Sequence, residues 1–431
     1  MKKYKPLPAS LFVENRKRFC QLLEPNSMAI FMANELFLKN ADATYTFKQN
    51  SNLYYLTGID QEETILILYP NHPNPDLREV LFIRKTNKEI EIWEGHKYTQ
   101  EEARATSGIE NVQWTEQLDA FLYPMLHLCE NVYWDFNEHD RDSAKSITKT
   151  HYFAQKIRTL YPAHTYKRSA PILNRLRMIK SEPEIEAIKK AIEITEKAFR
   201  RVIKFIKPGV TEYEIEAEII HEFIRNRADG HAYDPIIATG KNACILHYVA
   251  NYQTCQAGEV LLMDFGACYA HYNADLTRCL PVSGRFTKRQ KEVYNAVLSV
   301  MKQAKTLLKV GNTIDKYHEQ VGEIMTEKLL ELGLLTSDQV KHQNPKYPAY
   351  KKYFMHGTSH HLGLDVHDAN YKYEPMQAGY VYTCEPGIYI PEEGLGIRLE
   401  NNILITQNGN IDLMATIPLE VEEIEALMNE H

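Results

Sequence analysis

The sequence has no excess of positive charge. Its 50 Lys and Arg residues are outnumbered by 57 Asp and Glu residues, which gives a formal net charge of −7. Proteins that bind nucleic acid normally concentrate basic side chains on one face. We therefore expect no nucleic-acid partner.

Long apolar runs and cysteine pairs are also missing. The longest apolar runs, such as residues 65–69 and 260–263, fall far short of the roughly 20 residues that cross a bilayer. The residues up to Phe19 mix charged, proline and apolar side chains, unlike a secretory signal. The seven cysteines include no Cys-x-x-Cys pair, which is typical of reduced thiols. We expect a soluble, cytoplasmic protein with no membrane partner.

The length of 431 residues exceeds what one hydrophobic core usually supports, which predicts two domains. Up to about residue 173, short β-type runs alternate with helix-like or turn-rich stretches, and this predicts an α/β domain over residues 1–173. The β-type runs are residues 64–69, 80–83, 90–93 and 132–134.

A second, α+β domain is predicted over residues 174–431. Ser181 with Glu184, and Thr211 with Glu214, have the spacing of capping boxes that open helices. The strands expected after this first helix pair are residues 236–239, 260–266 and 275–282, and a second helix pair, at about 287–309 and 314–332, precedes a strand-rich end. This order indicates a duplicated unit, although no sequence repeat accompanies it.

Two aspartates lie in apolar, β-type surroundings, where an unpaired charge is costly. Asp264 and Asp275 are equally distant from a turn centred near residues 268–271. We therefore predict that they face each other across a hairpin, with Cβ atoms about 4.5–5.5 Å apart. A bulge or register slip would spoil this geometry, and an acid pair that faces solvent is the alternative.

The same pattern recurs near the C-terminal end. Glu385 and Glu400 are equally distant from the turn Pro391-Glu392-Glu393-Gly394. The sequence therefore predicts a second hairpin with a facing pair of acids.

Residues 356–368 form a glycine-containing segment that is rich in histidine. Four histidines fall within residues 356–368, namely His356, His360, His361 and His367. A single histidine is most often structural, but four in a chain that also has two acid hairpins favour a catalytic site. The glycines of the segment favour a loop or strand over a helix.

Four carboxylates in one cavity cannot all stay ionised unaided. Two divalent cations would balance their charge, and an oxygen-rich set with one imidazole favours manganese over structural zinc. Two metals about 3.5–4 Å apart activate water and stabilise developing charge. The predicted chemistry is metal-assisted hydrolysis.

These motifs resemble the creatinase/aminopeptidase, or pita-bread, superfamily, and specifically the aminopeptidase P family. The resemblance rests on Asp264-Phe265-Gly266, on residues 274–278, 356–368 and 396–400, and on Glu385-Pro386-Gly387. Residues 52–58 resemble the family's N-terminal domain more loosely. The resemblance implies a pita-bread catalytic domain and cleavage between an N-terminal residue and a following proline. It also implies two Mn²⁺ per subunit, peptide substrates with proline at the second position, and a homodimer or homotetramer.

The resemblance also implies roles for the acids and one histidine. Asp264 and Asp275 resemble ligands of one metal, while His360 and Glu385 resemble ligands of the other. Asp275 and Glu400 would bridge the two. Glu385 is further similar to the family's proton shuttle, which moves a proton from water to the departing proline nitrogen.

Other site residues follow from the same resemblance. His247 resembles the histidine that contacts the substrate carbonyl or the oxyanion. His356 and His367 resemble a pair that lines the proline side. Arg398 resembles a bidentate partner of the acids, and Tyr389 is a weaker candidate for such a supporting role.

One position departs from the family's pattern, because His361 follows His360 where relatives often have an aromatic or apolar residue. Either histidine could then be the ligand, and the spacing from Gly357 and Ser359 favours His360.

Several alternative functions stay open. Prolidase, which cleaves only Xaa-Pro dipeptides, uses the same ligands, but Ser359 and residues 364–368 look more like aminopeptidase P. A catalytically silent peptide-binding relative or a metal-free, creatinase-like hydrolase would lack ligands that this chain retains. Methionine aminopeptidase normally lacks the large first domain.

Overall fold

The structure is a computed structural model that describes residues 3–139, 141 and 146–430. The chain divides into two compact units, Met1–Arg177 and Met178–His431. Among the described residues, no helix is both long enough and apolar enough to cross a membrane.

The first unit is built on a mixed six-stranded sheet. Its strands run in the order β6-β5-β4-β1-β7-β8, with β1, β7 and β8 parallel and β4 antiparallel to both neighbours. The strands of the unit are β1 Ser27–Met32, β2 Leu38–Asn40, β3 Ala43–Thr44, β4 Ile65–Leu68, β5 Glu79–Ile83, β6 Val112–Trp114, β7 Asn131–Trp134 and β8 Thr165–Arg168. The helices are α1 Ala9–Gln21, α2 Ser51–Thr57, α3 Lys88–Glu94, α4 Gln100–Ser107, α5 Leu118–Leu128, α6 Lys149–Leu160 and α7 Ala170–Met178.

The central strands of this sheet are buried because their side chains are apolar. All four residues of β4 are buried, as expected for a strand that is covered on both faces. The predicted strand at 90–93 is wrong, because these residues belong to the helix α3. The Asn87 side chain accepts the backbone N–H of Ile90 at 2.9 Å and caps this helix, while Ile92 and Trp93 are 80% and 83% exposed.

A buried arginine connects three helices of the first unit. Arg16 of α1 is fully buried, and its Nη1 donates to the carbonyls of Leu56 at 2.8 Å and Ser107 at 2.9 Å. These carbonyls belong to the last turns of α2 and α4, where backbone acceptors lack partners within the helix. One guanidinium thus provides a hydrogen-bond donor for backbone carbonyls at the ends of two helices.

The second unit alternates helix pairs with antiparallel strands, in the predicted order. Its helices are α8 Glu182–Phe205, α9 Glu212–Arg225, α10 Lys288–Leu307, α11 Ile314–Glu331, α12 Ser337–Lys341 and α13 Val421–Asn429. Its strands are β9 Gly230–His231, β10 Ile236–Thr239, β11 Val260–Phe265, β12 Ala267–Tyr269, β13 Tyr272–Asn273, β14 Leu276–Pro281, β15 Val381–Cys384, β16 Gly387–Ile390, β17 Leu395–Arg398, β18 Asn401–Thr406 and β19 Gly409–Asp412. They form the sheets β10-β11-β14, β13-β12-β9, β15-β18-β19 and β16-β17.

Both predicted capping boxes are confirmed. Glu184 accepts the backbone N–H of Ser181 at 2.8 Å, and Glu214 accepts that of Thr211 at the same distance. These contacts fix where α8 and α9 begin, because they satisfy amides that have no partner within the helix.

The hairpin from β11 to β14, called the Asp hairpin below, has a register two residues away from the prediction. Asp264 faces Thr277 instead of Asp275. The turn consists of Ala270 and His271, with φ of 50° and 68°, as a tight two-residue turn of type I′ requires. This turn lies further along the chain than expected, so the pairing moves with it.

The hairpin from β15 to β18, called the Glu hairpin below, has the predicted register. Cys384 pairs with Asn401, and Gly387 pairs with Arg398, so that Glu385 lies opposite Glu400 between the two paired stretches. The wide turn at Pro391–Glu393 also lies where it was expected.

Candidate active site

Side chains from both hairpins and from the histidine segment converge in the second unit. Ligand atoms of Asp275, His360 and Glu400 all lie within 4.8 Å of one another. Nε2 of His360 is 3.4 Å from Oδ2 of Asp275 and 3.6 Å from Oε1 of Glu385. Two strand pairs and one loop thus bring together residues that are up to 125 positions apart in the sequence.

Asp264 joins this cluster through two partners. The Tyr233 hydroxyl lies 2.5 Å from Oδ1 of Asp264 and 2.5 Å from Oδ1 of Asp275. Nη2 of Arg398 donates to the other oxygen of Asp264 at 2.6 Å. The two aspartates therefore meet at one phenol, although their backbones are not paired with each other.

Arg398 divides its donors among three acceptors. Besides Asp264, it donates from Nη1 to the Tyr389 hydroxyl at 2.8 Å and from Nε to Thr277 at 3.2 Å. The bidentate grip on one carboxylate that the sequence suggested is therefore not formed. Burial alone would lower the pKa of Arg398, but Tyr389 and Asp264 raise it well above its ordinary value.

The acids carry strongly shifted pKa values because they are buried together. Burial raises the pKa of Glu385 to about 7, with His360 opposing this shift and Asp275 adding to it. Burial and the neighbouring acids raise the pKa of Glu400 well above its usual range, and burial raises that of Asp264 although Arg398 opposes the rise. So many buried carboxyl groups at close range are costly without nearby positive charge.

The donor set fits divalent cations. Oxygen atoms dominate it, with one imidazole, and this combination suits manganese and similar ions better than the thiolate-rich sets of structural zinc. Burial lowers the pKa of His360, but Asp275 and Glu385 outweigh that effect and raise it. Arg398 is the positive charge beside Asp264, and cations at the cluster would balance the remaining acids.

The predicted histidines surround the cluster. His356 places Nε2 2.8 Å from the Tyr389 hydroxyl and Nδ1 3.7 Å from Oε2 of Glu385. The ring of His367 lies 4.4 Å from that of His360 at an angle of 85°. His356 therefore borders the acid Glu385, and His367 borders the imidazole of His360.

His247 lies further out, on an exposed turn. Burial, followed by the charge of Arg398, lowers the pKa of His356 to about 3, and His247 adds to this lowering. The two imidazoles therefore lie close enough to influence each other electrostatically.

His361 is directed away from the cluster. Its ring packs 4.9 Å from that of Tyr380 and 4.1 Å from that of Tyr382, and its two ring nitrogens have no hydrogen-bond partner among the described residues. Burial lowers its pKa well below the ordinary value. Of the two adjacent histidines, His360 is therefore the one that faces the acids.

Sequence reasoning missed four supporting side chains. Thr277 donates to Glu400 at 2.7 Å and Thr383 donates to Glu385 at 3.2 Å, while Asn402 donates to the backbone carbonyl of Asp275 at 2.7 Å. Each of these three lies two residues from an acid of the cluster, so the two-residue period of a strand would have found them. No comparable signal marks Tyr233, which precedes β10 in an irregular segment.

Comparison with known proteins agrees with this geometry. The model for metallopeptidase family M24 matches residues 186–407, and the model for the aminopeptidase P N-terminal domain matches residues 12–133. The Xaa-Pro aminopeptidase of Escherichia coli is 34% identical over 97% of both chains. Xaa-Pro aminopeptidase 3 of Homo sapiens is 30% identical over 93% of this chain and 80% of its own.

Solved structures give the same result. Aminopeptidase PepP of Pseudomonas aeruginosa superimposes with a TM-score of 0.88 at 31% identity, over 98% of both chains. Aminopeptidase P from E. coli with the inhibitor Pro-Leu gives 0.87 at 32% identity, over 98% of this chain and 99% of that one. The N-terminal and catalytic folds expected from the sequence are confirmed, and the chain belongs to metallopeptidase family M24 and, within it, to the aminopeptidase P family of the pita-bread superfamily.

Proposed function

We propose that the buried acid cluster of the second unit hydrolyses the bond between an N-terminal residue and a following proline. The chain is a metal-dependent exopeptidase, and two relatives that match nearly its whole length, from Escherichia coli and Haemophilus influenzae, are named Xaa-Pro aminopeptidases. The observation that carries this proposal is the convergence of carboxyl groups from two hairpins on one imidazole.

The proposed metal ligands are Asp264, Asp275, His360, Glu385 and Glu400. We assign two Mn²⁺ ions per subunit to them because carboxylate oxygens dominate the set, although other divalent ions have similar preferences. Bound there, a pair of cations would lower the pKa of water and stabilise the charge that develops on the scissile carbonyl oxygen.

Glu385 is the proposed proton carrier. Its carboxyl group lies between His360 of the cluster and His356 at its border, at 3.6 Å and 3.7 Å. From this position it would accept a proton from the attacking water and return it to the proline nitrogen. That nitrogen is a poor leaving group unless it is protonated.

The remaining residues would hold the substrate. His356 lies beside Glu385 and His367 beside His360, and we assign both histidines to the side of the site that receives proline. His247 would contact the substrate carbonyl or the oxyanion. Arg398 would keep Asp264 and the Tyr389 hydroxyl in place, because it donates to both.

The direct test is to strip the protein with a chelator, restore manganese and follow matched Xaa-Pro and Xaa-Pro-Yaa peptides. We expect no hydrolysis without metal and recovery on Xaa-Pro-Yaa with manganese. No rescue by any divalent ion would overturn the mechanism. Recovery on dipeptides alone would instead indicate a prolidase.

Two further proposals concern the state of the protein. We propose a homodimer or homotetramer, as the family resemblance implies, which light scattering tests directly. We also propose a cytoplasmic location, supported by the free state of all seven cysteines, which is typical of reducing compartments. Cell fractionation would test it.

A further inference from the structure

The loop that carries His247 is long and partly exposed. It runs from the end of β10 to Thr254, which forms an isolated bridge with Thr211. Between these ends, Ile245 and Tyr252 are 53% and 63% exposed. A loop of this kind needs specific anchors to present one side chain in a fixed direction.

Glu212, in the first turn of α9, supplies such an anchor. It is fully buried. Its Oε1 accepts the backbone N–H of Thr239 at 2.8 Å, and its Oε2 accepts the backbone N–H of Gln253 at 2.9 Å and the Tyr248 hydroxyl at 2.7 Å. Asn242 adds a longer contact of 3.4 Å to Oε1.

These donors have a particular distribution along the loop. Thr239 and Gln253 stand at its two ends, and Tyr248 is the residue directly after His247. One carboxyl group therefore closes the loop at its base and also holds the neighbour of the proposed substrate-binding histidine.

A buried carboxyl group is a costly way to close a loop. Its burial is tolerable only because several donors satisfy its oxygens, and all four donors here are uncharged. Charged acceptors make shorter and stronger hydrogen bonds than neutral ones. What this group adds beyond packing is thus orientation of the loop.

A second anchor limits how much of the fold depends on Glu212. The Asn251 side chain donates to Glu216 at 2.8 Å and to the Pro235 carbonyl at 2.9 Å, and accepts the N–H of Ile237 at 3.1 Å. The loop should therefore stay attached near residue 251 when the contacts of Glu212 are lost.

We propose that Glu212 is a positioning residue that fixes His247 for its encounter with substrate. This inference rests on the role proposed above for His247, and it deepens that role by naming what holds the imidazole in place.

The first test is Glu212→Gln, which keeps the shape but turns one acceptor oxygen into a donor that faces N–H and O–H groups. Amide hydrogen exchange, measured without substrate, should become about tenfold faster across residues 239–249 and at Gln253, whose amide Glu212 accepts. With Xaa-Pro-Yaa peptides, kcat should fall about tenfold to a hundredfold, with a smaller change in KM. Unchanged exchange in the loop would overturn the proposal.

A double-mutant cycle separates positioning from general damage. If Glu212 acts through His247, then Glu212→Gln should cost less than about twofold in a His247→Ala background. An equal loss in both backgrounds would overturn the proposal. Glu218→Gln, on the same helix but paired with Arg201, is the matched control and should leave both exchange and kcat unchanged.

Two further results are possible, namely a Glu212→Gln variant that does not fold and an unmodified protein without peptidase activity. If Glu212→Gln does not fold, then Tyr248→Phe removes a single one of the bonds, and the same exchange experiment and cycle apply to it. If the unmodified protein hydrolyses no Xaa-Pro peptide, the proposed function fails, whereas the exchange experiment still decides whether Glu212 fixes the loop.

Discussion

The two acid hairpins bring their side chains to the same cluster in different ways. In the Glu hairpin the backbone register places Glu385 opposite Glu400. In the Asp hairpin the register does not align the two acids, and Tyr233 holds Asp264 and Asp275 together through its hydroxyl. The position of the two glutamates follows from the backbone pairing of their strands, whereas that of the two aspartates depends on a side chain outside the hairpin. The two hairpins should therefore differ in what disturbs them.

The largest expected effect concerns the Glu hairpin and its chemistry. Glu385→Gln should lower kcat by about 10²–10⁴-fold, because an amide cannot carry the proton between water and the leaving nitrogen. Unfolding in urea should not become easier, since the change removes a buried acid from a crowded cluster. Steady-state kinetics on an Xaa-Pro-Yaa peptide measure the effect.

Glu392→Gln is the matched control for this change, because Glu392 lies in the exposed turn of the same hairpin. It should keep the activity of the unmodified protein. A Glu385→Gln variant that retained activity within tenfold would exclude the proton-carrier role.

A pair of glycines tests the backbone difference. A Cβ atom at Gly266 of the Asp hairpin would lie 1.8 Å from the carbonyl oxygen of Ala274, whereas one at Gly387 of the Glu hairpin would lie 2.7 Å from the Tyr389 hydroxyl. Backbone cannot move aside as a side chain can. Gly266→Ala should therefore cost about 3 kcal/mol or more of unfolding free energy, and Gly387→Ala about 1 kcal/mol. Urea unfolding of both variants measures the two losses of unfolding free energy. A larger loss for Gly387→Ala than for Gly266→Ala would contradict the close approach of Gly266 to the Ala274 carbonyl.

The phenol that links the aspartates is the third target. Tyr233→Phe should weaken manganese binding about tenfold, because groups that orient metal ligands typically matter by about 10–100-fold. Calorimetric titration of metal-stripped protein measures this without reference to activity. Tyr373→Phe, at a site that is 85% exposed, is the control. Equal affinities in the two variants would show that Tyr233 does not set the spacing of Asp264 and Asp275.

The smallest effects are expected from the threonines that support the glutamates. Thr277→Val removes a bond of 2.7 Å to Glu400, and Thr383→Val one of 3.2 Å to Glu385. Each should lower kcat/KM by less than about tenfold, in line with a net value of about 0.5–1.5 kcal/mol per hydrogen bond. Because the bond of Thr277 is the shorter one, Thr277→Val should lower kcat/KM more than Thr383→Val does. Kinetics of both variants on one peptide under saturating manganese would test this order.

Sequence patterns predicted the residues that converge, but not always how they converge. The wide turn of the Glu hairpin has a proline and a glycine at its limits, so its centre could be located from the sequence. The turn at Ala270 and His271 has no glycine, although both residues adopt positive φ, and its centre was therefore misplaced. Local composition does not show that non-glycine residues are held in that conformation by the strands around them.

Contacts between distant segments were beyond sequence reasoning for a related reason. Nothing in the spacing of Tyr233 links it to Asp275, and nothing in the capping pattern of α9 shows that Glu212 reaches the loop that follows β10. The apolar residues of α3 predict a strand, whereas the Asn87 cap determines the local conformation. Such errors arise where one side chain overrides the average preference of a segment.

Arg16 has a consequence for how the first unit opens. Since a single guanidinium holds the final turns of α2 and α4, those turns share one point of attachment although they are far apart in the sequence. Local unfolding that frees Leu56 should free Ser107 as well. The two helix ends should then lose protection against solvent exchange together, as one cooperative segment.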